Sequence, residues 1–198
     1  MIVKEGIISN TTYSESGCQK YEIALRYIDE QRYSEALELL NQCISVNRRS
    51  SSLLYARSVT NLALGSYRKA ACDLMKTIVL EPGFLHAYKH LGFVQFMLGK
   101  DESAMNTIQK GLLIDPHYAA LYCVMGDAYL DQGELEKAKE AFDKALELEP
   151  DNAEPHSKIA MYYVAKGDMK GLKLEYELLK TLDAALAEQI GTLFFDIA

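Results

Sequence analysis

The chain has 198 residues, 49% of them hydrophobic, and a formal net charge of −7. That sign argues against a broad electrostatic footprint on nucleic acid or an anionic membrane, and no apolar run is long enough to span a bilayer, so neither partner is expected. MIVKEGIISN has no basic stretch followed by an apolar one, so no signal peptide is expected. The four cysteines at 18, 43, 72 and 123 form no CxxC pair, which disfavours a zinc knot or redox motif and favours a reducing, cytoplasmic location.

Residues 1–16 show no helical period. Ile2, Val3, Ile7 and Ile8 are apolar and NTTYSES is polar. They read as an N-terminal arm, either loose or an extended segment that docks in a groove of its own or a neighbouring copy.

From residue 17 the chain reads as paired amphipathic helices. Over 17–50 the apolar and small positions are Ile23, Ala24, Tyr27, Tyr33, Ala36, Leu40 and Cys43, with Gln31 at the turn and Arg48 near the end. Over 51–84 they are Leu54, Ser58, Tyr67, Ala70, Leu74 and Thr77, with Gly65 at the turn and Pro82 near the end. Over 85–118 come Tyr88, Leu91, Gly92, Gln95, Ala104, Ile108 and Gly111, with Gly99 and Pro116 in the same places.

The clearest unit is 119–152. Its first half has Leu121, Tyr122, Met125, Ala128 and Tyr129 at i, i+3, i+4, i+7 spacing and stops at Gly133, a favourable left-handed residue. Its second half has Leu135, Ala138, Ala141, Phe142, Ala145, Leu146 and Leu148 and ends at Pro150. Small Gly126, Ala138 and Ala145 alternate with large Tyr122, Tyr129 and Phe142, which lets one helix nest on the other. Neither helix buries its stripe alone, so the hairpin needs neighbours. The unit over 153–182 has Ile159, Ala160, Tyr163, Gly167 and Tyr176, but Leu172 and Leu179 stand where small residues would ease packing, which predicts helices pushed apart. A last helix follows over 183–198, with Asp183 as N-cap and Leu186, Ile190, Leu193 and Ile197 as its stripe. Phe194 and Phe195 leave that end unusually apolar. Either one of them packs and the other is incidental, or the pair is a self-association patch.

Residues Tyr122, Met125, Gly126, Tyr129, Ala138, Phe142, Ala145 and Pro150 resemble the signature of the tetratricopeptide repeat (TPR) family, whose period is 34 residues. Only the leucine is replaced, by Met125. The resemblance covers about 17–180 and implies an all-α, right-handed superhelix of five hairpins (17–50, 51–84, 85–118, 119–152, 153–182) plus a capping helix. It also implies that the first helix of each hairpin lines a concave groove. On that reading the groove holds Tyr21, Leu25, Ile28, Tyr55, Val59, Leu62, Lys89, Phe93, Phe96 and Met97, then Asp127, Leu130, Asp131 and Met161. Solvated positions are ordinarily polar, so an apolar row points to a bound peptide or helix, or to neighbouring helices that cover it. Family members that clamp the C-terminal carboxylate of chaperones use a lysine and an asparagine one turn apart. Here Lys89 is followed by Phe93, so that co-chaperone role is not expected.

Chemistry is sparse. The sequence has no GxSxG, HExxH, P-loop or dinucleotide fingerprint. His86 and His90 lie i, i+4 on one helix, a spacing that can grip a metal, but no third ligand is evident, and no cofactor or metal is expected. His117 falls at a turn and His156 at a core edge. Cys43 takes a small-residue core slot, and Cys18, Cys72 and Cys123 read as small hydrophobes. Ten acids at 127, 131, 134, 136, 140, 143, 147, 149, 151 and 154 oppose three lysines at 137, 139 and 144, enough to carry the whole net charge. Residues 17–84 hold nine basic residues and seven acidic ones. The acidic stretch is either a solvated outer face or a patch that steers a basic partner or stacks copies head to tail. The expectation is a non-catalytic scaffold or adaptor that holds a partner's peptide or helix, with a self-assembling homo-oligomer as the alternative and a metal-dependent enzyme a distant third.

Overall fold

The computed structural model describes residues 15–195, with side chains from Gln19 onward. Most of the expected arm, and Ile197, lie outside the described residues. Among those residues the chain is all helix: α1 Glu15–Asp29, α2 Tyr33–Val46, α3 Ser51–Ala63, α4 Tyr67–Leu80, α5 Leu85–Met97, α6 Asp101–Ile114, α7 Ala119–Asp131, α8 Leu135–Leu148, α9 Ala153–Lys166, α10 Met169–Leu182 and α11 Ala184–Phe194. They divide into two compact units, one ending at Ile114 and one starting at Asp115.

The turns inside the hairpins repeat with the period of the sequence. Gly65, Gly99, Gly133 and Gly167 all have positive φ, between 66° and 74°. Gln31 occupies the equivalent place one period earlier and takes the same conformation, φ 59°. At each turn the residue after the left-handed one donates its N–H five residues back, Arg32 to Tyr27, Ser66 to Asn61, Lys100 to Gln95, Glu134 to Tyr129 and Asp168 to Tyr163, at 2.7–2.9 Å. This is the Schellman closure, which satisfies carbonyls a helix end would leave open. Side chains cap several helix starts: Ser50 on Leu53 N–H, Asn152 on Glu154 N–H, Asp168 on Lys170 and Gly171, and Asp183, as expected, on Ala185 and Leu186.

In the first unit α2 packs on α1 and α3, and α4 on α3 and α5. One core gathers Ala24, Ala36, Leu40, Leu53 and Ala56, and the next gathers Tyr55, Ala70, Leu74, Ala87, Leu91 and Val94. In the second unit α7 nests closely on α8 at Gly126, where an added Cβ would overlap the Phe142 ring. Phe142 itself is fully buried.

The α9–α10 hairpin corrects one expectation. Leu172 and Leu179 do not push the helices apart. Both are fully buried against Ala160, and the close approach has moved to Gly171, which lies against the Tyr163 ring. Shifting the small residue by one position lets the leucines fill the space beside it. The stripe of α11 also differs from expectation. Ala187, Ile190 and Gly191 are buried while Leu193 is turned out, 70% exposed. The helix is rotated so that its small residues meet α10.

Candidate functional site

The first helices of the first unit, α1, α3 and α5, place equivalent residues one period apart. Leu25, Val59 and Phe93 form one such row, and Ile28, Leu62 and Phe96 another. Leu25 packs against the first core, Phe93 against the second, and Val59 against both. All three are half-buried, so each keeps one side on the core and the other in water. Leu62 and Phe96 are also half-buried, Ile28 is buried, and Met97 at the end of α5 is 47% exposed.

The third row, Tyr21, Tyr55 and Lys89, divides. Tyr21 is 7% and Tyr55 1% exposed, so both rings lie in the core beneath the surface. Lys89 is half-buried. Tyr55 packs edge-on against Phe84 at 4.8 Å between centroids. Its ring stacks on His90 at 5.6 Å and 27°, and its hydroxyl lies 3.1 Å from His90 Nδ1. Burial, with the charges of Lys89 and His86 adding to it, pushes the His90 imidazole down to about 3. A neutral, stacked His90 is thus tied to Tyr55. Its i−4 neighbour His86 sits 6.4 Å from the same tyrosine ring. Among the described residues no group of three or more His, Cys, Asp or Glu side chains is placed to hold a metal.

In the second unit Asp127 on α7 meets Lys158 on α9 at 2.7 Å, each side chain under one-third exposed. Burial alone would lower the Lys158 ammonium. The Asp127 carboxylate outweighs it, and the ammonium stays above its ordinary range. Sequence reasoning named Asp127 and missed Lys158. The signal was there, since Lys158 lies one helical turn before Met161, the equivalent of Asp127 one period on. Leu130 and Met161 are half-buried and Asp131 is exposed. His156, 8% exposed, links α9 to α10 through Glu175 at 2.9 Å.

Phe194 and Phe195 are both half-buried against the α10–α11 core, with Phe195 4.9 Å from the Tyr176 ring. Of the cysteines whose side chains are described, Cys43 and Cys123 are buried, as expected, but Cys72 is exposed, a correction to its reading as a small hydrophobe. Cys72 lies on the part of α4 that borders the open space beside Asn41 and Arg57. No helix among the described residues is long and apolar enough to cross a membrane.

Two family models match the chain, one described as tetratricopeptide repeat over residues 21–83 and one as TPR repeat over residues 126–167. The Hsp70-Hsp90 organizing protein of Triticum aestivum is 32% identical over 78 residues, 39% of this chain and 13% of that protein. The Hsp70-Hsp90 organizing protein 2 of Arabidopsis thaliana is 30% identical over 91 residues, 46% of this chain and 16% of that protein. The chain therefore spans less than a fifth of the length of these relatives. Among solved structures, a thermophilic TPR protein of Thermus thermophilus superposes with a TM-score of 0.79 at 23% identity, covering 89% of this chain and 97% of that one. MamA 41-end from Desulfovibrio magneticus gives 0.67 at 23% identity, covering 88% and 98%. At these identities the likeness is one of fold.

Proposed function

This chain belongs to the tetratricopeptide repeat family, and from that premise we propose that it is a non-catalytic scaffold that holds a peptide or helix of a partner protein on the first-helix face of its first unit. The observation that carries this reading is the periodic row Leu25, Val59 and Phe93, half in the core and half in water. Phe96 and the exposed Met97 extend the apolar surface at the end of α5. Such a strip offers a groove for an amphipathic or extended apolar segment, and methionine adapts to varied partners. Tyr21 and Tyr55 support the strip from below. Asp127 belongs to a separate, polar stretch on the second unit.

The plant relatives are named for organizing Hsp70 and Hsp90. Here Phe93 follows Lys89 where the carboxylate clamp would need asparagine, so the groove suits apolar side chains better than a chain terminus. The free cysteines favour a reducing compartment such as the cytoplasm.

The test uses peptides selected on the full chain from a random-peptide display library. Phe93→Ala with Phe96→Ala should weaken the apolar clones by about tenfold or more, with far-UV circular dichroism unchanged. Because Phe93 touches the core, Met97→Glu serves as a second variant at an exposed position on the same surface. Undiminished binding by both variants would overturn the groove.

A further inference from the structure

A second face of the first unit carries an unmet requirement. Residues 27, 61, 95, 129 and 163 are equivalent, one period apart, and three of them are tyrosine. The other two are Asn61 and Gln95. The Gln95 carbonyl accepts the Thr107 hydroxyl at 2.7 Å. Asn61 has no such donor, because the equivalent of Thr107 is Asp73. That carboxylate is taken by Arg57, whose Nε and Nη2 donate to it at 2.7 and 2.8 Å. Asn61 is 2% exposed and its Oδ1 is buried with no hydrogen-bond partner. A buried carbonyl left this way costs about 1–3 kcal/mol.

The short side chain also opens space. Asn61 lines a cavity of about 510 Å³ among α2, α3 and α4, with Arg68, Lys69 and Lys76 from α4 around it. None of these three cations forms a side-chain hydrogen bond or ion pair among the described residues. Cys72 and Lys76 also line an adjoining cleft of about 470 Å³, floored by Leu54, Met75, Val79 and Leu80 and edged by Arg48 and Arg49. Val79 is 79% exposed and Met75 47%. The combined lining has six cations and one carboxylate, already paired, on a chain whose net charge is −7.

We propose that this face, formed by α2, α3 and α4, is a second docking surface that takes an acidic segment of a protein partner. Its carboxylates meet Arg68, Lys69 and Lys76 around the cavity that Asn61 lines, and an aliphatic or aromatic side chain enters the cleft beside Val79. Charge complementarity selects this occupant. The outer face of α8 in a second copy is acidic but offers no exposed large apolar side chain to fill the cleft. The surface is separate from the first-helix strip and stands or falls independently of it.

The probe is a random-peptide display library panned on the full chain and counter-selected on Arg68→Glu with Lys76→Glu. The surviving clones should be rich in Asp and Glu around an apolar anchor. As labelled peptides they should bind wild type about tenfold or more tighter than the charge-reversed variant and weaken as salt rises. In a Cys18→Ser chain they should slow alkylation of Cys72. Asn61→Tyr, which introduces the residue found at three of the equivalent positions, should abolish their binding while leaving the melting temperature unchanged or higher. Phe96→Ala with Met97→Glu should leave it intact. Clones without acidic bias, equal binding to the reversed variant, or an unprotected Cys72 would overturn the proposal. So would tighter binding at these residues of a single-stranded oligonucleotide or of phosphatidylserine vesicles.

Discussion

The Tyr55 hydroxyl meets His90 Nδ1 at 3.1 Å across 35 residues of sequence, joining α3 to α5 in the core of the first unit. Burial holds His90 at about 3, below the 6.5 of the free side chain. Between those values the unfolded chain binds a proton that the folded chain refuses, so stability falls as pH drops through 6.5 toward 3. His90 keeps some surface in water, so the expected loss between pH 7 and pH 4 is about 2 kcal/mol. Urea midpoints for wild type and His90→Gln, measured across that range, isolate the effect. The amide still reaches Tyr55 but does not titrate, so its slope should be shallower. Parallel slopes would show that His90 is not buried neutral.

Gln31 carries a left-handed backbone that its four equivalents entrust to glycine. A side chain in this region costs about 1 kcal/mol, partly offset by the entropy glycine loses on folding. Gln31→Gly should therefore stabilise the first hairpin by about 0.5 kcal/mol. Gly65→Gln, the reverse exchange one period on, should destabilise by a similar amount. Thermal melts of the two variants should move in opposite directions.

Gly126 and Phe142 compete for one volume. Gly126→Ala should destabilise by about 2 kcal/mol through overpacking, despite alanine's better helix propensity. Phe142→Leu in the same chain should recover part of the loss, because the shorter side chain vacates the space. A double-mutant cycle with no coupling energy would show that the two helices relax apart.

The helices and their turns were legible because one short-range rule is written several times over. Glycine or its substitute every 34 residues closes each first helix, and proline or a polar cap ends each second one. Even Gln31 could be placed by its spacing. The candidate site was only half legible. The family resemblance pointed to the rows Leu25–Val59–Phe93 and Tyr21–Tyr55–Lys89 but could not say which was buried. The answer depends on how far Phe84 and His90 reach over Tyr55. It likewise found Asp127 but not Lys158, a partner chosen by the rotation of α9.

The sequence by itself determined the all-helical class, the repeat and the positions of its turns, because hydrogen bonds within a helix and the backbone preference of one residue are local. Only the tertiary structure decided which equivalent side chain is core and which is surface, that Leu193 faces water, that Leu172 is accommodated beside Gly171, and that Asn61 is left with an unanswered carbonyl. Those outcomes depend on volumes and partners supplied by residues far along the chain, and packing density leaves no room for them to be set locally.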